Sequence, residues 1–153
     1  DTTYDYYPMI RKFDYASNNG DPGKESIALD LYRLRYAETL LLRAEAYYLK
    51  GMQQEAANDI NKVRERSNAN PVFAGDVTLD YILDERAREL SIEEHRRKTL
   101  VRTGTYIERM RKYNMQDGPV FQDYNRFWPI PQSAIDQNVD NPEGIPQNDG
   151  YDI

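Results

Sequence analysis

Residues 31–65 read LYRLRYAETLLLRAEAYYLKGMQQEAANDINKVRE. Leu34, Ala37, Leu41, Ala44 and Tyr48 recur at spacings of three and four, which lines one face of a helix. Gly51 closes that run, at a place where a left-handed residue ends a helix without strain. A second helix then carries Ala56, Ile60 and Val63 on its apolar face. With only Gly51 and Met52 between them, the two helices are expected to fold back as an antiparallel hairpin. Ala44 and Ala56 let the backbones approach, and Tyr47 fills the groove beside them, which fits the tetratricopeptide pattern. A generic helical hairpin fits the same residues. A single such unit cannot bury its outer face alone, and no second copy is visible in the sequence.

The flanking sequence changes in texture. Ahead of the hairpin, residues 1–30 mix a Tyr-rich stretch with the loop-forming ASNNGDPGKES. After it, NANPVFAGD reads as a loop, and Thr78 as the N-cap of TLDYILDERARELSIEEHRRKTLVR. Ile82, Leu83, Leu90 and Ile92 are its expected apolar contacts. Around them Glu85, Arg86, Arg88, Glu89, Glu93 and Arg96 alternate in sign, a pattern usual on a solvated helix face. A short helix, TYIERMRKYN, and a loop through DGPVF lead to FWPIPQSAIDQN. There Pro129 and Pro131 enforce an extended backbone and remove two amide donors. Ser133, with Asp136 three residues later, predicts a capped short helix over 134–137. A stiff entry into a capped turn suits a segment pressed on a core, so Trp128 is expected to be a buried plug rather than a sugar platform.

Composition excludes several classes. The chain has 153 residues, enough for one domain, and too many apolar and aromatic side chains for disorder. A formal charge of −6 argues against nucleic acid. No apolar run approaches the length of a membrane span. The absence of cysteine excludes thiolate catalysis, disulfides and Cys-based metal sites. His95 is the only histidine, which leaves no multi-histidine metal site, and no nucleophile motif accompanies it. Asp136, Asn138, Asp140 and Glu143 lie close in sequence, yet their spacing and the missing Gly depart from a calcium loop. Thirteen tyrosines suit half-buried positions and wet binding surfaces, and Tyr4, Tyr6, Tyr7 and Tyr124 are the candidate exposed rings. No catalytic, metal or cofactor residue emerges from these patterns, and no ligand contact is assigned.

Four motifs in order, RYAETLLLRAEAYYLKG, ERARELSIEEHR with LVRTG, FWPIPQSAIDQN and QNDGY, resemble the C-terminal end of SusD/RagB-like proteins. The resemblance implies a mainly α fold: a tetratricopeptide-like hairpin over 31–67, charged helices over 78–114, and a WPIP/QNDGY loop segment over 124–153. Together these make a single region, 1–153. It implies non-catalytic binding of a glycan or other nutrient at the bacterial cell surface, with delivery to a SusC-like TonB-dependent transporter. It also implies an outer-membrane lipoprotein anchored through an N-terminal part that precedes these residues. The opening DTTYDYYPMIRK has neither an initiator Met nor a signal peptide, which fits a processed protein or a fragment. A helical-repeat scaffold for a protein partner and a glycan-cleaving enzyme are the alternatives. The chain departs from the family pattern in places. Glu94-His95-Arg96 stands for E-G-x-R, Arg97 and Lys98 for aromatics, Thr99 for Asp, and Asp149 for the proline of QNPGY. Glu85, Arg86, Arg88, Glu89, Leu90, Glu93 and Arg102 match the family in type by that resemblance, so some of the charges among them are expected as interior ion pairs. Such pairs fix geometry more reliably than they add stability. The resemblance also implies a structural role for Trp128.

Overall fold

Helix α1 (Tyr36–Leu49) and helix α2 (Gln53–Glu65) lie antiparallel and form the centre of the computed structural model, which describes residues 33–138, 140 and 144–151. Leu41, Ala44, Ala56 and Ile60 are fully buried between them, with Tyr47 and Tyr48 packed on the edge. Small side chains at 44 and 56 permit this close approach. Gly51, at φ 73°, turns the chain. The Gly51 N–H donates to Tyr48 O at 2.9 Å and the Met52 N–H to Tyr47 O at 2.9 Å, so the last carbonyls of α1 are satisfied by a Schellman closure. Leu34 stands ahead of α1 and is exposed, so the apolar face starts at Ala37 rather than at Leu34.

Side chains of α2 hold the loop that follows it, and Arg64 Nε donates to Asn70 O at 2.6 Å. Asn61 accepts from the Val72 N–H at 2.8 Å and donates to Val72 O at 3.0 Å, which places Val72 and Val77 on the hairpin core. Helix α3 (Leu79–Glu89) begins at Thr78, whose hydroxyl accepts the Tyr81 N–H at 3.1 Å, as the sequence predicts. Ile82 and Leu83 are fully buried. The helix expected to run on through the charged stretch instead stops at Glu89. Helix α4 (Arg96–Arg102) starts after a turn, and helix α5 (Tyr106–Tyr113) follows it. Ile92 sits in that turn with φ 70° and is 62% exposed, so it makes none of the expected core contact. The reason lies at Glu94. Breaking the helix swings its carboxylate back onto the buried Arg86, at 2.5 Å, with Thr99 Oγ1 donating at 2.7 Å. A left-handed β-branched residue costs about 1–3 kcal/mol, which the interactions around it must offset.

The acid–base alternation is therefore interior in part. Arg64 binds Glu85 at 2.6 Å, tying α2 to α3. Arg86 lies 3.5 Å from Glu38 of α1 as well as against Glu94. Arg102 grips Glu45 with two hydrogen bonds, 2.5 and 2.7 Å, tying α4 to α1, and these bonds raise the Arg102 pKa. Arg109 binds both Asp80, at 2.6 Å, and Asp84, tying α5 to α3. Arg96 finds Glu94 at 3.4 Å, while burial pushes its pKa below the ordinary value. The described residues are mainly helical, with no strand among them, completed by helix α6 (Gln132–Asp136) and irregular loops.

Ala44→Leu or Ala56→Leu overpacks the α1–α2 seam and is expected to cost about 1–3 kcal/mol in urea unfolding. Unchanged midpoints in both variants contradict the close-packed hairpin.

Candidate functional site

Pro129 and Pro131 leave the FWPIP backbone short of donors, and the tail supplies partners from its side chains. The Ile130 N–H donates to Gln147 Oε1 at 2.7 Å, and Gln147 Nε2 donates to Ile130 O at 2.9 Å. Asn148 Nδ2 donates to Trp128 O at 2.7 Å, and the Tyr151 hydroxyl donates to Phe127 O at 3.0 Å. Asn125 Nδ2 donates in turn to the Tyr151 oxygen at 3.1 Å. Side-chain amides here do the work of a neighbouring strand. The WPIP and QNDGY motifs, separate in sequence, form one clasp. Gly150, at φ 82°, is required there, because a Cβ would run into the ring of Tyr124, which packs edge-on against Tyr151 at 5.1 Å.

Trp128 is not the expected plug; it is 67% exposed. The clasp holds its backbone carbonyl and leaves the indole outside. One contact steadies the ring: the Arg97 guanidinium lies 4.9 Å from the Trp128 ring and 4.9 Å from the Tyr106 ring. Arg97 is itself fixed, donating to Asn125 O at 3.2 Å and Arg126 O at 2.9 Å. Arg97 thus joins α4 to the clasp and to two rings. The capping-box expectation also fails. Helix α6 takes Pro131 as its N-cap without a side-chain bond, and Gln132 rather than Ser133 reaches Asp136, at 2.8 Å.

Beside the clasp, a cleft of about 910 Å³ opens between the α4–α5 corner and the tail. Tyr106, Tyr124 and Phe127 supply its rings, and Arg126, Asn148 and Asp149 its polar rim. Asp123 also lines it and is engaged by Arg111 at 3.0 Å. Flat aromatic faces beside fixed amide, carboxylate and guanidinium groups suit a ligand with both C–H faces and hydroxyls.

The other sequence candidates do not converge on this place. Tyr124 lines the cleft with its ring against Tyr151, whereas Tyr4, Tyr6 and Tyr7 lie outside the described residues. His95 is exposed just ahead of α4. Of the calcium-like set, Glu143 lies outside the described residues. No group of three His, Cys, Asp or Glu side chains suited to a metal ion occurs among the described ones. Sequence reasoning missed Arg97, Tyr106, Asn148 and Asp149 as neighbours, because only the pairing of two distant motifs brings them together.

Comparison with known proteins agrees with the resemblance. The sequence model of the SusD family matches residues 1–151. The starch-binding protein SusD of Bacteroides thetaiotaomicron is 35% identical over 127 residues, covering 80% of this chain and 22% of the relative. The SusD-like protein P38 of Formosa agariphila is 32% identical over 143 residues, covering 85% of this chain and 28% of the relative. The chain thus spans about a quarter of the length of these curated relatives. No solved structure gives a significant match.

Fluorescence from Trp128, the sole tryptophan, is expected to be that of a solvated indole, readily quenched by iodide. Trp128→Ala is expected to cost at most about 1 kcal/mol, the scale of an exposed cation–π contact. Gln147→Ala, which strips Ile130 of both its partners, should cost more, about 1–3 kcal/mol. A blue-shifted, iodide-resistant spectrum contradicts the exposed position of the ring.

Proposed function

The chain belongs to the SusD family, and from that premise we propose that it serves non-catalytic glycan binding at the bacterial cell surface. The observation that carries this reading is the match to a starch-binding protein at 35% identity across most of the chain. The cleft and the exposed indole agree with it, since both present ring faces next to hydrogen-bonding groups. Cleavage of a glycosidic bond needs two carboxyl groups set across it, one of them a proton donor. Of the two carboxylates at the cleft, Asp123 is already engaged by Arg111 at 3.0 Å.

The captured glycan is handed, in this proposal, to a SusC-like TonB-dependent transporter in the outer membrane. None of the described helices is long and apolar enough to cross a membrane. Attachment is assigned to a lipid on a preceding part of a longer protein, of which these 153 residues form the C-terminal region. The outer side of α1 supports a contact with such a part: Leu42 and Leu49, seven residues apart on one face, are exposed, and Met52 follows them.

Calorimetry against a panel of maltoheptaose, cellohexaose, mannohexaose and a uronate oligomer tests the reading. Saturable binding of at least one, without release of new reducing ends, is the expected result. Release of reducing ends makes the protein an enzyme, and binding of none of the panel removes the glycan-binding reading.

A further inference from the structure

We propose that Asp149–Gly150 is a site of spontaneous isoaspartate formation, and that this modification opens the clasp between the tail and the WPIP segment. The site is independent of the glycan-binding reading.

The clasp itself creates the reactive dipeptide. A Cβ at position 150 would run into the Tyr124 ring, so a glycine has to follow Asp149. A glycine nitrogen is also the least shielded one that a main chain can present to the preceding side chain. Asp149 and Gly150 are both exposed. Among the described residues, neither the Asp149 carboxylate nor the Gly150 N–H has a hydrogen-bond or ion-pair partner.

The reaction needs only this pair and water. The Gly150 nitrogen bonds to Asp149 Cγ, the Cγ–OH bond of the protonated carboxyl breaks, and the amide proton leaves with that hydroxyl as water. Water then opens the cyclic succinimide. Opening at Cγ restores aspartate, whereas opening at the Asp149 main-chain carbonyl routes the chain through Cγ as isoaspartate. Mass and oxidation state end unchanged.

Asp117–Gly118 has the same two residues in a protected setting. Gly118 is buried, and its N–H donates to Asn114 O at 2.8 Å. Asn114 Oδ1 accepts the Asp117 N–H at 3.0 Å, and Asn114 Nδ2 lies 3.4 Å from the Asp117 carboxylate. Attack at 117 has to break this turn first, and attack at 149 does not.

Modification at 149 disturbs the clasp through its spacing. Asn148 holds Trp128 O and Tyr151 holds Phe127 O, two neighbouring carbonyls, across a turn closed by the Tyr151 N–H on Asn148 O at 3.2 Å. Isoaspartate inserts a methylene into the main chain inside that turn. Both grips then no longer fit at once, and Gly150 leaves its seat on Tyr124.

The test ages the folded protein for weeks at slightly acidic pH and physiological temperature. Isoaspartate is located by electron-transfer fragmentation of its proteolytic peptides. It is expected to accumulate at 149 about tenfold or more faster than at 117, where a buried hydrogen bond must open first. The same chain aged in urea is expected to react at both sites at comparable rates. In the chromatographically separated isomerised fraction, amide exchange at Ile130 is expected to be faster, because Gln147 and Asn148 no longer hold the WPIP backbone. Aged Asp149→Glu, which cannot close the same ring, keeps its exchange at Ile130 unchanged. Equal rates at 149 and 117 in the folded protein, or isoaspartate at 149 in urea alone, overturns the site. A difference that persists in urea overturns the role of the fold. Isoaspartate at 149 with unaltered exchange at Ile130 overturns the opening of the clasp.

Discussion

Arg86 and Glu94 meet almost fully out of solvent, and the placement of everything after α3 depends on that meeting. The apolar core belongs to α1, α2, α3 and the two valines of the intervening loop. Beyond it, α4 contributes Leu100 and Thr99 to the interior, and the one buried side chain of α5 is Arg109. Hydrophobic burial alone does not specify where those helices lie. Arginine–carboxylate pairs do: Arg86 to Glu94, Arg102 to Glu45, and Arg109 to Asp80 and Asp84. Arg102 forks onto both oxygens of Glu45, Arg86 sets Nε and Nη2 on one oxygen of Glu94, and Arg109 divides its terminal nitrogens between Asp80 and Asp84, so each contact sets a direction as well as a distance.

That choice carries costs that are visible in the structure. Nη1 of Arg86 and Nε of Arg109 are buried without a hydrogen-bond partner among the described residues. Ile92 adopts a backbone conformation that β-branched residues avoid. The Ile92 conformation follows from bringing Glu94 back onto Arg86. The return is a fixed α4, and α4 presents Arg97, on which the Trp128 and Tyr106 rings rest. A single line of contacts therefore runs from the buried pair, through Thr99 and α4, to the clasp of WPIP with QNDGY.

The parts legible in the sequence were those governed by near neighbours. Spacings of three and four gave the α1–α2 seam, Gly51 its turn, Ala44 and Ala56 its contact, and Thr78 the start of α3. Interior ion pairs and family membership were legible through motif resemblance. What failed depended on distant partners. Periodicity carried one helix through Ile92, because nothing local shows that Glu94 must turn back to Arg86 eight residues before it. Two prolines showed that the WPIP backbone is stiff, but not that amides near residue 148 hold it from one side and leave the indole out. Ser133 had the spacing of a cap and lost that role because Pro131 already opens the turn. The cleft was illegible for the same reason: its residues come from α5, the 123–127 turn and the tail.

The central claim is that the α4–α5 corner and the clasp are positioned by a buried charge pair, while the hairpin stands on apolar packing. Amide hydrogen exchange on Glu94→Gln tests this most directly, since the substitution keeps the side-chain shape and removes the charge. The account predicts faster exchange across Arg96–Arg102, Tyr106–Tyr113 and Ile130, with α1 and α2 keeping their protection. Protection unchanged at α4 and α5, or lost equally throughout α1 and α2, contradicts it.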